Sequence, residues 1–179
     1  PAIPELPADA LDVMSAREVA EQLDRAREGD AEEIAALSRL YTLHGYFAEA
    51  EACGLIATRQ YPYSYSARLW WAIALDRLGR MDDAIAQYRQ AQPIAPRSER
   101  AQCMYYVGRC QLRLERSEAA ERAFRDSLEI APAQYELAKL LIRSDRGEEG
   151  LNLVEELSEQ YSDDLTVLQL RSRAQLAAG

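Results

Sequence analysis

Apolar residues recur along most of the chain at the three- and four-residue spacing of one helical face. Ile34, Leu37 and Tyr41 form one stripe, and Trp71, Leu75 and Leu78 a second. Met104 and Val107, then Leu137 and Leu141, continue the pattern. Ahead of these stripes, Ser15-x-x-Glu18 has the form of a capping box and predicts a helix to about Glu28, with Val19 and Leu23 turned inward. Asp30-x-x-Glu33 predicts a second helix start. Residues 1–7 read as an extended arm, because three prolines in seven positions leave no helix. Leu165 to Ala178 predicts a final amphipathic helix. It reads equally as a cap, with Arg171 and Arg173 turned to water, or as the first helix of a unit that is cut off.

The pattern is also periodic on a longer scale. Gly45, Ala50, Ala57 and Pro62 return 34 residues later as Gly79, Ala84, Ala91 and Pro96. All four are turn or small-residue positions, so apolar patterning alone does not explain the match. A third copy follows two residues late, with Gly108, Ala120, Phe124, Ile130 and Pro132. In it Leu114-Glu-Arg-Ser117 stands where the turn glycine is expected. A fourth copy is degenerate: Asp145-Arg-Gly-Glu-Glu-Gly150 fills the turn, Val154 and Leu157 follow, and Ser162 replaces the closing proline. Its first helix, between Pro132 and Asp145, is expected to be about one turn short.

Residues 79–96 and the 34-residue period resemble the tetratricopeptide repeat. The resemblance implies an all-α fold, a right-handed α-solenoid of helix-turn-helix repeats. Three are clear (31–64, 65–98, 101–134) and one is degenerate and shortened (131–164). Around them stand an arm (1–14), an N-terminal capping helix (15–30) and a C-terminal capping helix (165–179). Each spacing has a physical reason. Gly45 and Gly79 accept the positive φ that ends a helix sharply. Ala50, Ala84 and Ala120 let neighbouring helices approach. Pro62, Pro96 and Pro132 are expected to end the second helix of each pair. One pair cannot bury its own apolar face, so neighbours must stack.

Charge narrows the function. The 179 residues carry a formal charge of −9, placed at the two ends. Residues 1–30 hold eight acids and three arginines, and residues 144–164 hold eight acids and Arg146, while 31–143 are near neutral. Such a chain is repelled by phosphate at long range, which disfavours nucleic acid. No window reaches the roughly 20 uninterrupted apolar residues of a membrane span. Pro1–Pro7 has neither the basic nor the apolar region of a signal peptide, although one already removed is compatible with this.

Little points to catalysis. His44 is the single histidine, at a turn, and no phosphate-binding, nucleophile-elbow or zinc-protease motif occurs. Cys53, Cys103 and Cys110 have no metal-ligand spacing. Cys103 and Cys110 would lie about 10 Å apart on one helix at ~1.5 Å per residue, too far for a disulfide. Buried apolar roles are expected for all three, and no metal or cofactor. Their odd number leans toward a reducing compartment.

The resemblance implies a groove lined by the first helix of each repeat. The corresponding positions include Arg39, Leu69, Ile73, Arg77, Tyr105, Arg109, Leu112, Arg113, Tyr135, Lys139 and Arg143. Six of these are cations in a chain that is acidic overall. They predict a non-enzymatic module that binds a peptide or partner protein with acidic and apolar side chains. The alternative is that these cations pair with neighbouring acids and only keep the groove wet. The chaperone-binding carboxylate clamp of the family needs Lys and Asn where this chain has Ala35, Arg39, Trp70, Gln102 and Tyr106, so that function does not carry over. Tyr61, Tyr63 and Tyr65, with Trp70 beside them, read either as packing across a repeat junction or as a rim for a partner.

Two sharper readings remain open. The size, acidity and N-terminal helical arm resemble type III secretion translocator chaperones, which implies a homodimer through residues 1–30. The proline-rich start suggests instead a fragment of a larger envelope or assembly protein. The compartment stays open between cytoplasm and envelope. Finally, the acidic arm is a candidate to fold over the basic groove and shield it.

Overall fold

The computed structural model describes residues 2–7 and 11–178. These residues contain ten α-helices and two short 3-10 turns, Gln92–Ile94 and Arg97–Glu99. None of the helices is long and apolar enough to cross a membrane. The chain divides into two compact units, Pro1–Arg97 and Ser98–Gly179.

The first unit holds α1 (Val13–Glu28), α2 (Ala31–Leu43), α3 (Phe47–Gln60), α4 (Tyr65–Arg77) and α5 (Met81–Ala91). Helix α1 packs on α2, α2 on both α3 and α4, and α4 on α5. Val19, Leu23 and Ala26 of α1 join Leu37, Tyr41, Ala50, Cys53 and Ala57 in one buried cluster. Helices α3 and α4 touch at Gly54, where a Cβ would overlap Cβ of Trp71. A side chain there would push the helices apart.

The start of α1 differs from the sequence expectation. Asp12 accepts from the backbone N–H and the hydroxyl of Ser15, at 3.2 and 2.6 Å, so the helix opens before Ser15 and no Ser15–Glu18 box forms. The aspartate wins because its carboxylate satisfies two donors at once near the positive end of the helix. Asp30 does cap α2, accepting from Glu32 N–H at 2.9 Å.

Residues 2–7 run as an extended strap over their own unit. Ile3 and Leu6 pack against the core cluster, Tyr41 donates its hydroxyl to Pro4 O at 2.7 Å, and Glu5 pairs with Arg27. The partners of the strap are therefore on α1 and α2, at Arg27 and Tyr41, and not at Arg39, Leu69, Ile73 or Arg77.

The second unit holds α6 (Arg100–Arg113), α7 (Ser117–Arg125), α8 (Ala131–Arg143), α9 (Gly147–Gln160) and α10 (Leu165–Ala178). Helices pack in order, α6 with α7, α7 with α8, α8 with α9 and α9 with α10, and α10 also touches α8. Phe124, Leu137 and Leu141 centre one buried cluster, and Val154, Leu157, Val167 and Leu170 a second.

One turn geometry recurs four times. A backbone N–H reaches back five residues to a carbonyl, from Tyr46 to Tyr41, Arg80 to Leu75, Arg116 to Gln111 and Arg146 to Leu141, at 2.8–3.0 Å. The residue before each donor has positive φ: Gly45 at 85°, Gly79 at 81°, and Glu115 and Asp145 at 59°. The hydrogen bonds close the helix end, and the third and fourth copies tolerate a side chain in a conformation that glycine adopts without strain.

The fourth copy is thus neither degenerate at its turn nor short. Helix α8 has 13 residues, the same as α2 and α4. The missing turn belongs to α7, which has only nine residues. There Ser127, fully buried, donates its hydroxyl to Ala123 O and Phe124 O and helps end the helix early. Pro132 accordingly lies in the first turn of α8, where its missing N–H has no intrahelical acceptor, and does not end α7. Two smaller expectations also fail. Leu78 caps α4 and is exposed, and Arg171 is half-buried with its Nε enclosed, not turned to water.

With the fourth turn placed, α8–α10 repeat α2–α4 at a constant offset of 100 residues. Even the turns before α4 and α10 match: Ser64 N–H donates to Tyr61 O and Asp164 N–H to Tyr161 O, each at 3.1 Å.

Candidate functional site

In the second unit the groove candidates come from α6 and α8. Arg109 and Arg113 are exposed on α6, and Arg143 on α8, while Tyr105, Leu112, Tyr135 and Lys139 are half-buried. Tyr105 and Leu112 lean on the Phe124–Leu137 cluster, with the Tyr105 ring centroid 6.2 Å from that of Phe124. This packing limits the rotamers of Tyr105 and presents its outer edge.

Tyr105 and Tyr135 line one open cleft of about 380 Å³, with Tyr161, Leu157, Val167, Pro132, Glu136 and Asp164 completing the wall. Each of the first two rings carries a cation. The Arg109 guanidinium lies 5.8 Å from the Tyr105 centroid and the Lys139 ammonium 5.1 Å from that of Tyr135. The two carboxylates in the wall are already engaged. Glu136 pairs with Lys139 at 2.9 Å. Asp164 caps α10: the Thr166 hydroxyl and the backbone N–H groups of Thr166 and Val167 donate to it, and these bonds hold its carboxyl below the usual carboxylate range. The cleft therefore offers aromatic and aliphatic surface with two engaged carboxylates in its wall, and of the two cations over its rings only Arg109 has no carboxylate partner among the described residues.

Sequence reasoning named Tyr105 and Tyr135 but missed Tyr161. The signal was present as Tyr61, 100 residues earlier, and only the true length of α8 brings the two into register. Lys139 also departs from expectation, since Glu136 one turn before it takes up its charge.

In the first unit the candidates are Arg39 on α2 and Leu69, Ile73 and Arg77 on α4. Leu69 and Ile73 are half-buried, and Arg39 and Arg77 are exposed without an ion pair among the described residues. Arg39 shares a small depression with Glu18, Glu21 and Arg25 of α1, so its surroundings are mixed in sign.

The tyrosine edge lies in the same unit. Tyr63 is 85% exposed, and Tyr61 is exposed to a lesser degree. With Pro62, Ser64, Asp30 and Glu32 they line a shallow depression at the place equivalent to the cleft of the second unit. Tyr65 is half-buried at the start of α4, and Trp70 packs against the core cluster. The edge thus reduces to Tyr61 and Tyr63.

The remaining reactive groups are placed for structure. Cys53, Cys103 and Cys110 are buried and free. Burial, with a contribution from Glu49, pushes the Cys53 thiol up to about 12. His44 closes α2, its backbone N–H donating to Leu40 O. Among the described residues no group of three or more His, Cys, Asp or Glu is arranged to hold a metal ion.

Residues 65–133 match the family model described as tetratricopeptide repeat. No protein of curated function matches the chain in sequence. Among solved structures, the thermophilic TPR protein TTC0263 of Thermus thermophilus is 20% identical, with a TM-score of 0.66 over 91% of this chain and 89% of that one. MamA is 14% identical, with a TM-score of 0.71 over 83% and 82%. YrrB, described as a TPR protein with an unusual peptide-binding site, is 15% identical, with a TM-score of 0.63 over 94% and 93%. At these identities the likeness concerns the fold.

Proposed function

Because residues 65–133 match the tetratricopeptide-repeat model and the helices repeat in the same manner around them, we propose that the chain is a protein-interaction module of that family without chemistry of its own. Its site is the α6–α8 face of the second unit. The ligand is a peptide segment that seats an apolar or aromatic side chain in the Tyr105–Tyr135–Tyr161 cleft and sets acidic side chains beside Arg109, Arg113 and Arg143. The observation that carries this reading is the placement of the Arg109 guanidinium 5.8 Å from the Tyr105 ring centroid at the edge of the cleft. It joins an anchoring surface to a charge preference in one place.

Magnitudes favour shared work. A charge-assisted hydrogen bond contributes roughly 1.5–3 kcal/mol when desolvated, but an exposed arginine contributes about 1 kcal/mol or less. Arg109 and Arg113 are exposed, so selectivity must come from several weak charges around one apolar anchor. The tyrosines add rigid contact area at small entropic cost.

The test is fluorescence polarisation against labelled peptides with an aromatic residue flanked by Asp and Glu. Wild-type protein is expected to bind these and to ignore the same peptides with Lys as the flanking residue. Arg109→Glu with Arg113→Glu should weaken binding about tenfold or more, and Tyr135→Ala should weaken it at any salt concentration. Equal binding by wild type and the double reversal would remove the site from this face.

A further inference from the structure

The residue that opens the second helix of each pair is Tyr46, Arg80, Arg116 and Arg146 in turn. Arg80 reaches back from α5 to Glu51 of α3, and Arg146 from α9 to Glu121 of α7. Tyr46 has no charge with which to hold α1, and packs against the core cluster instead. Five residues before these positions, Leu75 and Leu141 are buried hydrocarbon, whereas Tyr41 is equally buried but carries a hydroxyl. A buried hydroxyl needs a partner, and Pro4 O of the strap accepts from it at 2.7 Å. Two departures from the repeat thus fall at one groove. Helices α1 and α3 flank it, α2 lies between them, and residues 2–7 run along it.

The strap fills this groove incompletely. Ile3 and Leu6 are half-buried, and Glu5 is exposed. Beside Ile3 a depression of about 310 Å³ remains, lined by Ala26 of α1, Ile34 of α2 and Ile56 of α3, all buried and apolar, with the exposed Gln60 at its edge. That space suits an apolar side chain larger than isoleucine.

The strap is also lightly held. None of its backbone groups bonds to another backbone group among the described residues. Pro4 and Pro7 have no N–H to offer. Its ion pair, Glu5 with Arg27, is exposed on both sides, where such pairs contribute little. Two half-buried aliphatic side chains and the bond from Tyr41 therefore do most of the holding, and another extended segment can reproduce each of them.

We propose that the α1–α3 groove is a peptide-binding site that residues 2–7 occupy in cis, and that its ligand is an extended segment of a partner protein that displaces them. The segment presents an aromatic side chain to the space beside Ile3, a backbone carbonyl to Tyr41, an acid to Arg27 and an aliphatic side chain at the place of Leu6. This site is separate from the α6–α8 face and does not depend on that reading.

The probe is a labelled peptide, Ala-Phe-Pro-Glu-Leu-Pro, which is residues 2–7 with Phe in place of Ile3. The control peptide has Ser in place of its Phe and Leu. Ile3→Asp with Leu6→Asp releases the strap in the full chain, and circular dichroism checks that helicity is kept. This variant should bind the probe about tenfold more tightly than wild type does, because wild type binds only in the molecules whose strap is released. Adding Tyr41→Phe or Arg27→Glu should reverse most of the gain, and adding Arg109→Glu with Arg113→Glu should leave it intact. The unsubstituted protein gives a second reading by NMR. On titration with unlabelled probe, the Glu5 and Leu6 amide resonances should move toward unstructured positions, and the control peptide should leave them in place. A released variant that binds the probe no better than wild type, or strap amides that do not respond to the probe, would overturn the proposal and make the strap a fixed part of the core. A wild-type dimer in sedimentation velocity that dissociates on Ile3→Asp with Leu6→Asp would overturn it in favour of the strap of a second copy.

Discussion

Arg146 donates from one nitrogen to both carboxylate oxygens of Glu121, at 3.0 and 2.9 Å, across 25 residues of sequence. The same guanidinium holds Glu149 through two bonds of 2.7 Å, and Arg125 bridges Glu121 and Glu149 at 2.9 and 3.2 Å. The four residues tie α7 to the start of α9 around the shortened third copy. Partial burial would raise the Glu121 carboxyl, but hydrogen bonds from Arg125 and Arg146 outweigh it and hold it below the usual range. Glu149 is lowered chiefly by its bond from Arg146.

This network sets a pH dependence. A carboxylate lowered in the folded state stabilises fully above its ordinary value of about 4.5 and loses that effect as pH falls through the folded value. Arg146→Met should therefore lower the urea midpoint at pH 7, and the difference from wild type should shrink progressively below about pH 4.5. A difference that is constant with pH would mean that Arg146 acts through packing alone.

Glu115 occupies the left-handed region in the third turn, at φ 59°, where the first two turns use glycine. Glu115→Gly should raise stability by about 0.5–1 kcal/mol, because removing Cβ strain outweighs the added chain entropy. Gly79→Ala should cost a comparable amount or more. Paired urea titrations measure both, and opposite signs are the expected outcome.

Gly54 lies against the backbone and Cβ of Trp71, and Trp71 is itself held in the packing of α4. Gly54→Ala should destabilise the protein by roughly 1–3 kcal/mol, since neither helix can move without opening the core. Gly45→Ala offers a contrast: a Cβ there meets nothing within 4 Å, so its cost is conformational only. A thermal melt in which the two variants are equally affected would argue against the close approach.

The three cysteines should be inert in the native state. Cys53 keeps its proton at neutral pH, and Cys103 and Cys110 are shielded from solvent. Labelling by a thiol reagent should proceed at the rate of unfolding and become fast for all three in denaturant. Rapid native labelling of one thiol would reveal a local opening near that residue.

The fold was legible because its signals are local and redundant. Helical spacing of Ile34, Leu37 and Tyr41, the alanines at 50, 84 and 120, and the glycines at 45 and 79 each point to stacked helical pairs. The third and fourth copies were harder to read. Their turns lack glycine at the left-handed position, and Pro132 at the start of α8 looks the same in sequence as a proline that ends α7. The candidate face was legible only as a set of positions. That Tyr105, Tyr135 and Tyr161 share one cleft follows from the length of α7 and the packing of α8 against α9 and α10, whereas the engagement of Glu136 by Lys139 and of Asp164 by the first turn of α10 is local.

The sequence by itself determined the helices, the turn chemistry and the small-residue contacts, because each depends on residues within one or two turns of one another. Only the tertiary structure decided which copy is short, which side of α10 packs on α8 and α9, and where the strap of residues 2–7 lies. Those outcomes depend on which distant surfaces meet. Tyr41 reaching Pro4 and Arg146 reaching Glu121 are contacts of that kind, and no periodicity along the chain encodes them.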